Sequence, residues 1–174
     1  MSNLPIVLVL ASGKGERFLA SGGKVHKLQA LLKGVPLLER TLNSVRSSGL
    51  PWYVADAGYP GMGDTIAAAV SANRQSNGWL ILPGDLPCIQ PKTLRNVTSQ
   101  LDTYAAVVPS FQGVRGHPVG FSAQCRDALI ALSGAKGAAS VLRSVTTHVL
   151  PVDDIGITLD VDTVSDLERC EAYF

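Results

Sequence analysis

The stretch LVLASGKGERFLASGGKVHKLQALLKG, residues 8–34, decides how the rest of the chain is interpreted. An apolar run leads directly into glycines and cations, which is the pattern of a buried strand that delivers backbone N–H groups to an anion. Three kinds of phosphate-binding loop begin in this way, and they differ in the positions of the residues that follow. The spacing within this stretch therefore decides between them.

Two of the three loops do not fit that spacing. A Walker A loop requires GxxxxGK followed by Ser or Thr, but the GK pair at Gly23 is followed by Val25, and Phe18 stands where the first glycine belongs. The dinucleotide fingerprint GxGxxG begins correctly at Gly13, but Phe18 again replaces a glycine. What remains is Gly-x-Gly-x-Arg after the first strand, a later lysine, and a Gly-x-Pro-Leu-Leu segment that opens a helix. This third pattern resembles the nucleotidyltransferase loop, which implies binding of a nucleoside triphosphate and release of pyrophosphate.

The composition restricts the class of protein. The 174 residues, 46% of them hydrophobic, suffice for a single compact domain over 1–174. Fifteen Lys and Arg against 14 Asp and Glu argue against a large electrostatic surface for nucleic acid or anionic lipid. Three widely spaced cysteines fit free thiols in the cytoplasm, and no stretch reads as a signal peptide or a membrane span. We expect a cytoplasmic protein with no nucleic-acid or membrane partner.

Short runs rich in Val, Ile and Leu alternate with helical patterns, which predicts an α/β fold with a mostly parallel sheet flanked by helices. The predicted strands are 6–10, 52–55, 79–82, 105–108, 118–121, 148–151 and 157–161. The predicted helices are 36–47, 66–73, 91–101, 122–133 and a last one that begins near residue 163. Two strands follow each other directly within 105–121, so we expect a mixed sheet with one antiparallel strand.

The small residues after the first strand suit an anion-binding loop. Ala11, Ser12 and Gly13 would let backbone amides approach a triphosphate. Arg17 and Lys27 would then neutralise the charge that builds on a leaving pyrophosphate. The alternative for this segment is a glycine-rich turn with solvated cations.

Carboxylates that could complete the site follow two later segments. Asp85 ends an apolar strand in LPGDLP, at the edge where open α/β sheets bind ligands, and is the first candidate for a magnesium ligand. Asp160 and Asp162 belong to LDVDT, residues 159–163, where alternation along a strand would direct both side chains to the same side. The alternative for Asp162 is a helix cap beside Thr163. The pair at 153–154 fits a turn.

Two further segments could recognise a base or an acceptor. GMGDT, residues 61–65, precedes an alanine-rich helix, and its glycines would let the backbone approach a base or ribose, although a simple helix entry capped by Asp64 is the alternative. RGHPVGF, residues 115–121, contains His117, which could stack on or hydrogen-bond an acceptor. His26 and His148 lack such a context, so we expect surface or packing roles for them.

Taken together from Leu8 to Leu167, these motifs resemble the molybdenum cofactor cytidylyltransferase-like (MobA/MocA-type) nucleotidyltransferase family. Segments 115–121, 134–138 and 159–167 resemble, respectively, the family's Arg-Gly-His-Pro-Val-x-Phe, Gly-x-x-Gly-Ala and Asp-Ile-Asp-Thr segments. The resemblance implies a single Rossmann-like GT-A domain. It implies Mg-dependent transfer of CMP from CTP to the terminal phosphate of molybdopterin, with a molybdoenzyme apoprotein or its chaperone as a partner.

The resemblance also assigns site residues. It implies catalytic roles for Arg17, Lys27 and Asp85, and magnesium binding by Asp85, Asp160 and Asp162. The residues that it implies in nucleotide or acceptor binding are Leu10, Ala11, Ser12, Gly13, Gly15, Gly61, Met62, Gly84 and His117.

The alternatives within this class are guanylyl transfer from GTP to the same cofactor and nucleotidyl transfer to a sugar phosphate. Ser12 does not distinguish cytidylyl transfer from guanylyl transfer, because the cytidylyl branch tends to have Ala at this position and the guanylyl branch Gly. An alternative from another class is a non-catalytic chaperone that binds nucleotide or cofactor. The chain departs from the family in a longer loop at 18–26, which suggests a mobile lid or weaker nucleotide binding. Its region 41–61 is also shorter than the strand and helix that the family often has there, so the expected base pocket is altered.

Overall fold

Strands and helices alternate along the chain in the computed structural model, which describes residues 3–13 and 15–174. The strands are β1 (Ile6–Leu10), β2 (Leu31–Leu32), β3 (Val35–Pro36), β4 (Trp52–Ala55), β5 (Gly78–Pro83), β6 (Ala106–Phe111), β7 (Val114–Arg115), β8 (Val119–Ser122) and β9 (Thr147–Pro151). The helices are α1 (Glu16–Ala20), α2 (Leu37–Ser48), α3 (Met62–Ala72), α4 (Pro91–Gln100), α5 (Arg126–Ile130), α6 (Ala139–Ser144) and α7 (Val164–Glu171). Single 3-10 turns cover Lys27–Gln29, Ala123–Cys125 and Ile155–Thr158.

Within residues 3–13 and 15–174, seven strands form one mixed sheet in the order β4-β1-β5-β8-β6-β7, with β9 also paired to β6. Strand β1 is parallel to β4 and β5, and β6 is parallel to β9. Strand β8 is antiparallel to both β5 and β6. The α/β fold with a mostly parallel, mixed sheet is therefore confirmed, including an antiparallel strand in the 105–121 region. Strands β2 and β3 form a separate antiparallel pair.

The central strands are buried on both faces, as a continuous apolar run requires. Successive side chains of β1 alternate between two cores: Val7 and Val9 pack with α2 and α4, whereas Leu8 packs with α3 and α5. In β5, Leu80 and Leu82 belong to the first of these cores. The sheet is thus covered by helices on both sides.

A third apolar cluster lies beyond the sheet and fixes the glycine-rich segment that follows β1. Phe18, which is 2% exposed, packs there with Leu28, Leu37, Val161 and Cys170. The residue that breaks two phosphate-loop motifs in the sequence is therefore a buried anchor, which joins the loop to the C-terminal helix α7.

Three predicted elements need correction. The predicted strand 157–161 is wrong, because Ile155–Thr158 form a 3-10 turn. The predicted helix 122–133 is a 3-10 turn followed by the short α5, which ends at Ile130. The alanine-rich helix starts at Met62, four residues before the predicted start.

None of the helices in the described part of the chain combines the length and the apolar character that a membrane crossing needs.

Candidate active site

The candidate site lies at the carboxyl ends of β1 and β5, which are neighbouring parallel strands in the sheet. The backbone N–H of Gly84 donates to the carbonyl of Leu10 over 2.8 Å, which extends the contact between the two strands past the end of β5. A Cβ on Gly84 would lie 3.0 Å from that carbonyl oxygen and 3.0 Å from Leu38 Cδ1, so glycine suits this close approach. Asp85 therefore lies in the turn after β5, at the edge where open α/β sheets bind ligands.

Lys27 joins two carboxylates at this edge. Its Nζ lies 2.8 Å from Oδ2 of Asp85 and 3.5 Å from Oδ1 of Asp162. Nη1 of Arg17 lies 3.6 Å from the other carboxylate oxygen of Asp162, and its side chain is 82% exposed. Because a well-exposed ion pair holds a side chain only weakly, Arg17 can turn toward a ligand. We call these four residues the charged cluster.

The ammonium of Lys27 is a permanent cation at neutral pH. Burial lowers the pKa of Lys27, but attraction and hydrogen bonding by Asp85, followed by those of Asp162, raise it overall above its usual 10.5. An ammonium has three N–H donors, and the two carboxylates account for two of them. One donor is therefore left for a ligand oxygen.

Asp85 has the features of a cation ligand. Its Oδ1 is buried and accepts no hydrogen bond from any residue that the structure describes. Leaving a buried carboxylate oxygen without a partner is costly, so a divalent cation or a ligand donor fits this position. Asp162 adds a second carboxylate, and the described residues contain no cluster of three or more His, Cys, Asp or Glu suited to a metal. Mg²⁺ commonly binds one or two carboxylates together with substrate phosphates.

Asp162 reaches the cluster because another residue caps helix α7. The Thr163 hydroxyl accepts from the backbone N–H of Asp166, and the Asp166 carboxylate accepts from the N–H groups of Thr163 and Asp162. The side chain of Asp162 is therefore not the cap, which was the alternative role for it. It lies instead next to Lys27.

The chain before Asp160 is not the predicted strand, although the charges of Asp85 and Asp162 both reach the Asp160 carboxyl. Asp160 is exposed and lies outside the cavity wall. The predicted strand is replaced by a 3-10 turn because of Asp154. This buried residue has a carboxylate that accepts from the backbone N–H of Gly156 over 2.8 Å and so starts the turn. The same carboxylate accepts from the Thr93 hydroxyl over 2.6 Å. A turn was predicted from the sequence at residues 153–154, but the burial of Asp154 was not.

The charged cluster forms part of the wall of a cavity of about 580 Å³, within the usual size range of small-molecule sites. Ala11, Asp160 and His117 are the predicted site residues that do not line it. The predicted residues that do line it are Leu10, Ser12, Gly13, Gly15, Arg17, Lys27, Gly61, Met62, Gly84, Asp85 and Asp162.

The glycine-rich loop is held against the Lys27 turn by His26. The His26 Nδ1 accepts from the N–H of Leu28 at 3.3 Å, so the ring proton lies on Nε2 and is donated to the carbonyl of Gly13 over 2.6 Å. Gly15 has φ +68°, and a Cβ there would lie 3.4 Å from the backbone N of Lys27. The sequence favoured only a surface or packing role for His26, because nothing local reveals a contact thirteen residues away.

The longer loop at 18–26 is attached to the body of the protein. The Ser21 hydroxyl donates to the carbonyl of Phe18 and accepts from the N–H of Val164 at the start of α7. A Cβ on Gly23 would lie 2.4 Å from the ring of Phe18, so the loop packs closely over that ring.

A second part of the cavity wall carries no charge. Tyr59 and Met62 are 47% and 52% exposed and offer apolar surface to a ligand. Beside them the hydroxyls of Ser12 and Thr65 lie 3.2 Å apart, and the Thr65 hydroxyl donates to the carbonyl of Gly61 over 3.1 Å. We call these five residues the uncharged wall. Tyr59 was not predicted, and Thr65 was included only as part of the segment 61–65 and not as a site residue.

The glycines of the Gly-Met-Gly motif pack closely against a second sequence motif, the turn at 134–138. A Cβ on Gly61 would lie 2.2 Å from the carbonyl oxygen of Gly134, and one on Gly63 would lie 2.8 Å from that of Lys136. The N–H of Gly63 also donates to the carbonyl of Gly134 over 2.9 Å. Two segments that were separate in the sequence analysis, 61–65 and 134–138, therefore pack on each other.

His117 does not line the cavity, but it lies within reach of the charge of Asp85. Its backbone N–H donates to the carbonyl of Ile157 over 3.0 Å, and its side chain is half-buried. Burial lowers the pKa of His117 against the opposing attraction of Asp85, so the ring is neutral near pH 7.

The comparisons with known proteins agree with this fold. A model of the MobA-like NTP transferase domain matches residues 43–149. The bifunctional protein GlmU of Coxiella burnetii is 32% identical over 114 residues, which cover 52% of this chain and 24% of that protein. The chain thus matches about a quarter of the length of this curated relative.

Solved structures extend the similarity over nearly the whole chain. Rv0371c of Mycobacterium tuberculosis superposes with a TM-score of 0.82 at 22% identity, covering 99% of both chains. A second structure of Rv0371c, a complex with manganese, gives a TM-score of 0.77 at 22% identity over 97% of this chain and 98% of that one. Molybdopterin-guanine dinucleotide biosynthesis protein A of Archaeoglobus fulgidus gives a TM-score of 0.70 at 18% identity over 96% and 97% of the chains. At these identities the similarity establishes the fold.

Proposed function

Because the chain belongs to the MobA-like NTP transferase domain family, we propose that this nucleotidyltransferase transfers CMP from CTP to the terminal phosphate of molybdopterin and releases pyrophosphate. The observation that carries the proposal is the charged cluster, in which a largely buried lysine and two carboxylates meet at a cavity of about 580 Å³. The choice of a molybdopterin acceptor is supported by the name of the archaeal neighbour and by the segment 115–121.

The proposed reaction needs no nucleophile from the protein. A phosphate monoester has a second pKa near about 6, so the acceptor phosphate is mostly dianionic at neutral pH. One of its oxygens attacks the α-phosphorus of CTP, a new P–O bond forms, and the bond to pyrophosphate breaks. Two anions must approach each other, so catalysis rests on positioning and on neutralising charge.

Lys27 and Arg17 would supply the cationic part of that environment. The ammonium of Lys27 is held rigidly by Asp85 and has a donor left for a phosphate oxygen. Arg17 is exposed at the mouth of the cavity, where it can follow the charge onto the leaving pyrophosphate.

Asp85 and Asp162 would hold the magnesium ion that the family resemblance implies. A divalent cation there supplies neutralisation of the triphosphate charge, and the unpartnered Oδ1 of Asp85 suits such a ligand. The manganese complex of Rv0371c supports a divalent cation in this fold.

The remaining assignments follow the same proposal. The neutral ring of His117 would hydrogen-bond or stack on the pterin rather than pair with its phosphate as a cation. Residues 1–174 would act as one nucleotidyltransferase domain. The free thiols of Cys88, Cys125 and Cys170 suit a reducing cytoplasm.

The first test is calorimetric binding of CTP, GTP, ATP and UTP, each with and without Mg²⁺. Metal-dependent binding with CTP preferred supports cytidylyl transfer, and the next assay is pyrophosphate release in the presence of molybdopterin. Tighter binding of GTP would replace the proposal with guanylyl transfer. Nucleotide binding without pyrophosphate release on any acceptor, including sugar phosphates, would instead indicate a non-catalytic binding protein.

A further inference from the structure

The uncharged wall contains a hydroxyl pair whose hydrogen-bond direction is fixed by a backbone carbonyl. The Oγ1 of Thr65 lies 3.1 Å from the carbonyl oxygen of Gly61, which can only accept. Thr65 has a single hydroxyl proton, and donating it to Gly61 leaves Oγ1 able only to accept. Its neighbour at 3.2 Å is the hydroxyl of Ser12, which therefore donates to Thr65.

The opposite arrangement makes fewer hydrogen bonds. If Thr65 donated to Ser12 instead, its bond to the Gly61 carbonyl would be lost, and the proton of Ser12 would turn toward the cavity. The observed pair of contacts is satisfied in full only when the protons run from Ser12 to Thr65 to Gly61. In that arrangement the Ser12 oxygen offers the cavity lone pairs and no proton.

Thr65 is well placed to keep this arrangement. It is 2% exposed and belongs to helix α3, whose first turn is packed against the 134–138 turn through Gly61 and Gly63. Ser12 follows β1 and lines the cavity. The acceptor oxygen of Ser12 thus lies on the segment after β1 and is oriented by Thr65 of helix α3.

The two parts of the cavity wall suit the two parts of a nucleotide. The charged cluster fits a triphosphate, and the uncharged wall has the exposed faces of Tyr59 and Met62, against which a flat base can pack. Cytosine and uracil have the same shape in such a site. They differ along one edge, where cytosine has an amine that donates beside a ring nitrogen that accepts, and uracil has a carbonyl that accepts beside a ring N–H that donates.

We propose, on the basis of the proposed nucleotidyl transfer, that Ser12 Oγ accepts a hydrogen bond from the exocyclic amine of the base and that Thr65 is the positioning residue that makes Ser12 an acceptor. A uracil carbonyl facing Ser12 meets a second acceptor, and binding it requires breaking the bond to Thr65 or to Gly61. The difference of about one net hydrogen bond corresponds to roughly a fivefold preference for CTP over UTP.

The test compares CTP and UTP binding by the wild type, Thr65→Val and Thr65→Ser in the presence of Mg²⁺. Valine keeps the shape of threonine and removes its hydroxyl, so Ser12 becomes free to rotate and donate. We expect the CTP:UTP ratio of dissociation constants to approach one in Thr65→Val, mainly through tighter UTP binding. Thr65→Ser retains the hydroxyl and is expected to retain the ratio.

If Thr65 had only a structural role, Thr65→Val would weaken the binding of CTP and UTP equally and leave the ratio of their dissociation constants unchanged. That result would overturn the inference. Equal binding of CTP and UTP by the wild type would overturn it as well, while metal-dependent binding would still support nucleotidyl transfer. If the folded wild type bound none of the four nucleotides, the proposed function itself would fail. Thermal melts of the two variants confirm that each is folded before the ratios are compared.

Discussion

Nζ of Lys27 lies 2.8 Å from Oδ2 of Asp85, although 58 residues separate them in the sequence. The two side chains are 15% and 13% exposed, so water screens this ion pair only in part. The pair uses one oxygen of Asp85 and leaves the buried Oδ1 without a hydrogen-bond partner among the described residues. Asp85 therefore has one oxygen that holds the lysine and another that suits a cation.

Replacing Asp85 by Asn tests the metal-binding role of this carboxylate. The amide keeps the size of the side chain but loses the negative charge, so we expect magnesium-dependent pyrophosphate release to fall by a factor of at least about 10². The measurement is pyrophosphate release at several magnesium concentrations, with circular dichroism to establish that the fold is retained. Asp102→Asn is the matched control, because Asp102 is exposed and does not line the cavity. Wild-type rates in Asp85→Asn would remove this residue from the site.

The raised pKa of Lys27 predicts a pH dependence of stability. In the unfolded chain this lysine loses its proton near pH 10.5, whereas in the folded chain it keeps the proton to a higher pH. Its contribution to the free energy of unfolding is therefore fully present below pH 10.5 and is lost as the pH rises toward the folded-state pKa. Urea unfolding of the wild type and Lys27→Met between pH 8 and pH 11.5 measures this. We expect the difference between the two proteins to shrink at the alkaline end, and a constant difference would contradict the raised pKa.

The capping of α7 predicts a link between stability and metal binding. Thr163→Ala removes the hydroxyl that accepts from Asp166, and we expect a loss of about 1 kcal/mol in the free energy of unfolding. Since Asp166 also holds the backbone N–H of Asp162, we expect the affinity for magnesium and nucleotide together to fall as well. Thr163→Ser keeps a hydroxyl and should behave like the wild type in both urea unfolding and calorimetry. A loss of stability without any change in binding would show that Asp162 does not depend on the cap.

Much of the fold could be predicted because its signals are local. The apolar runs that form β1 and β5 are adjacent parallel strands, so the residues after each run meet at one edge. This is why Asp85 could be assigned to the site from its position after β5, whereas Lys27 was assigned from the resemblance of its loop to the nucleotidyltransferase pattern.

The errors arise where a distant contact overrides a local pattern. The alternation at 157–161 suggested a strand, but the buried carboxylate of Asp154 starts a 3-10 turn there. Phe18 was informative only as a residue that breaks two glycine motifs. Its role as an anchor depends on a cluster assembled from helix α7 and the segment 28–37, which no local pattern reveals.

His26 provides the last prediction, because its ring links the glycine-rich loop to the Lys27 turn through Gly13 and Leu28. His26→Leu removes both hydrogen bonds without adding charge, so we expect the loop to be held less firmly and the KM for the nucleotide to rise about tenfold. His26→Gln is the matched control, since its amide can donate to the Gly13 carbonyl and should restore much of the affinity. Steady-state kinetics with varied nucleotide measures KM and kcat separately for both variants. An unchanged KM in His26→Leu, in a protein with a wild-type melting temperature, would show that the loop binds phosphate without this attachment.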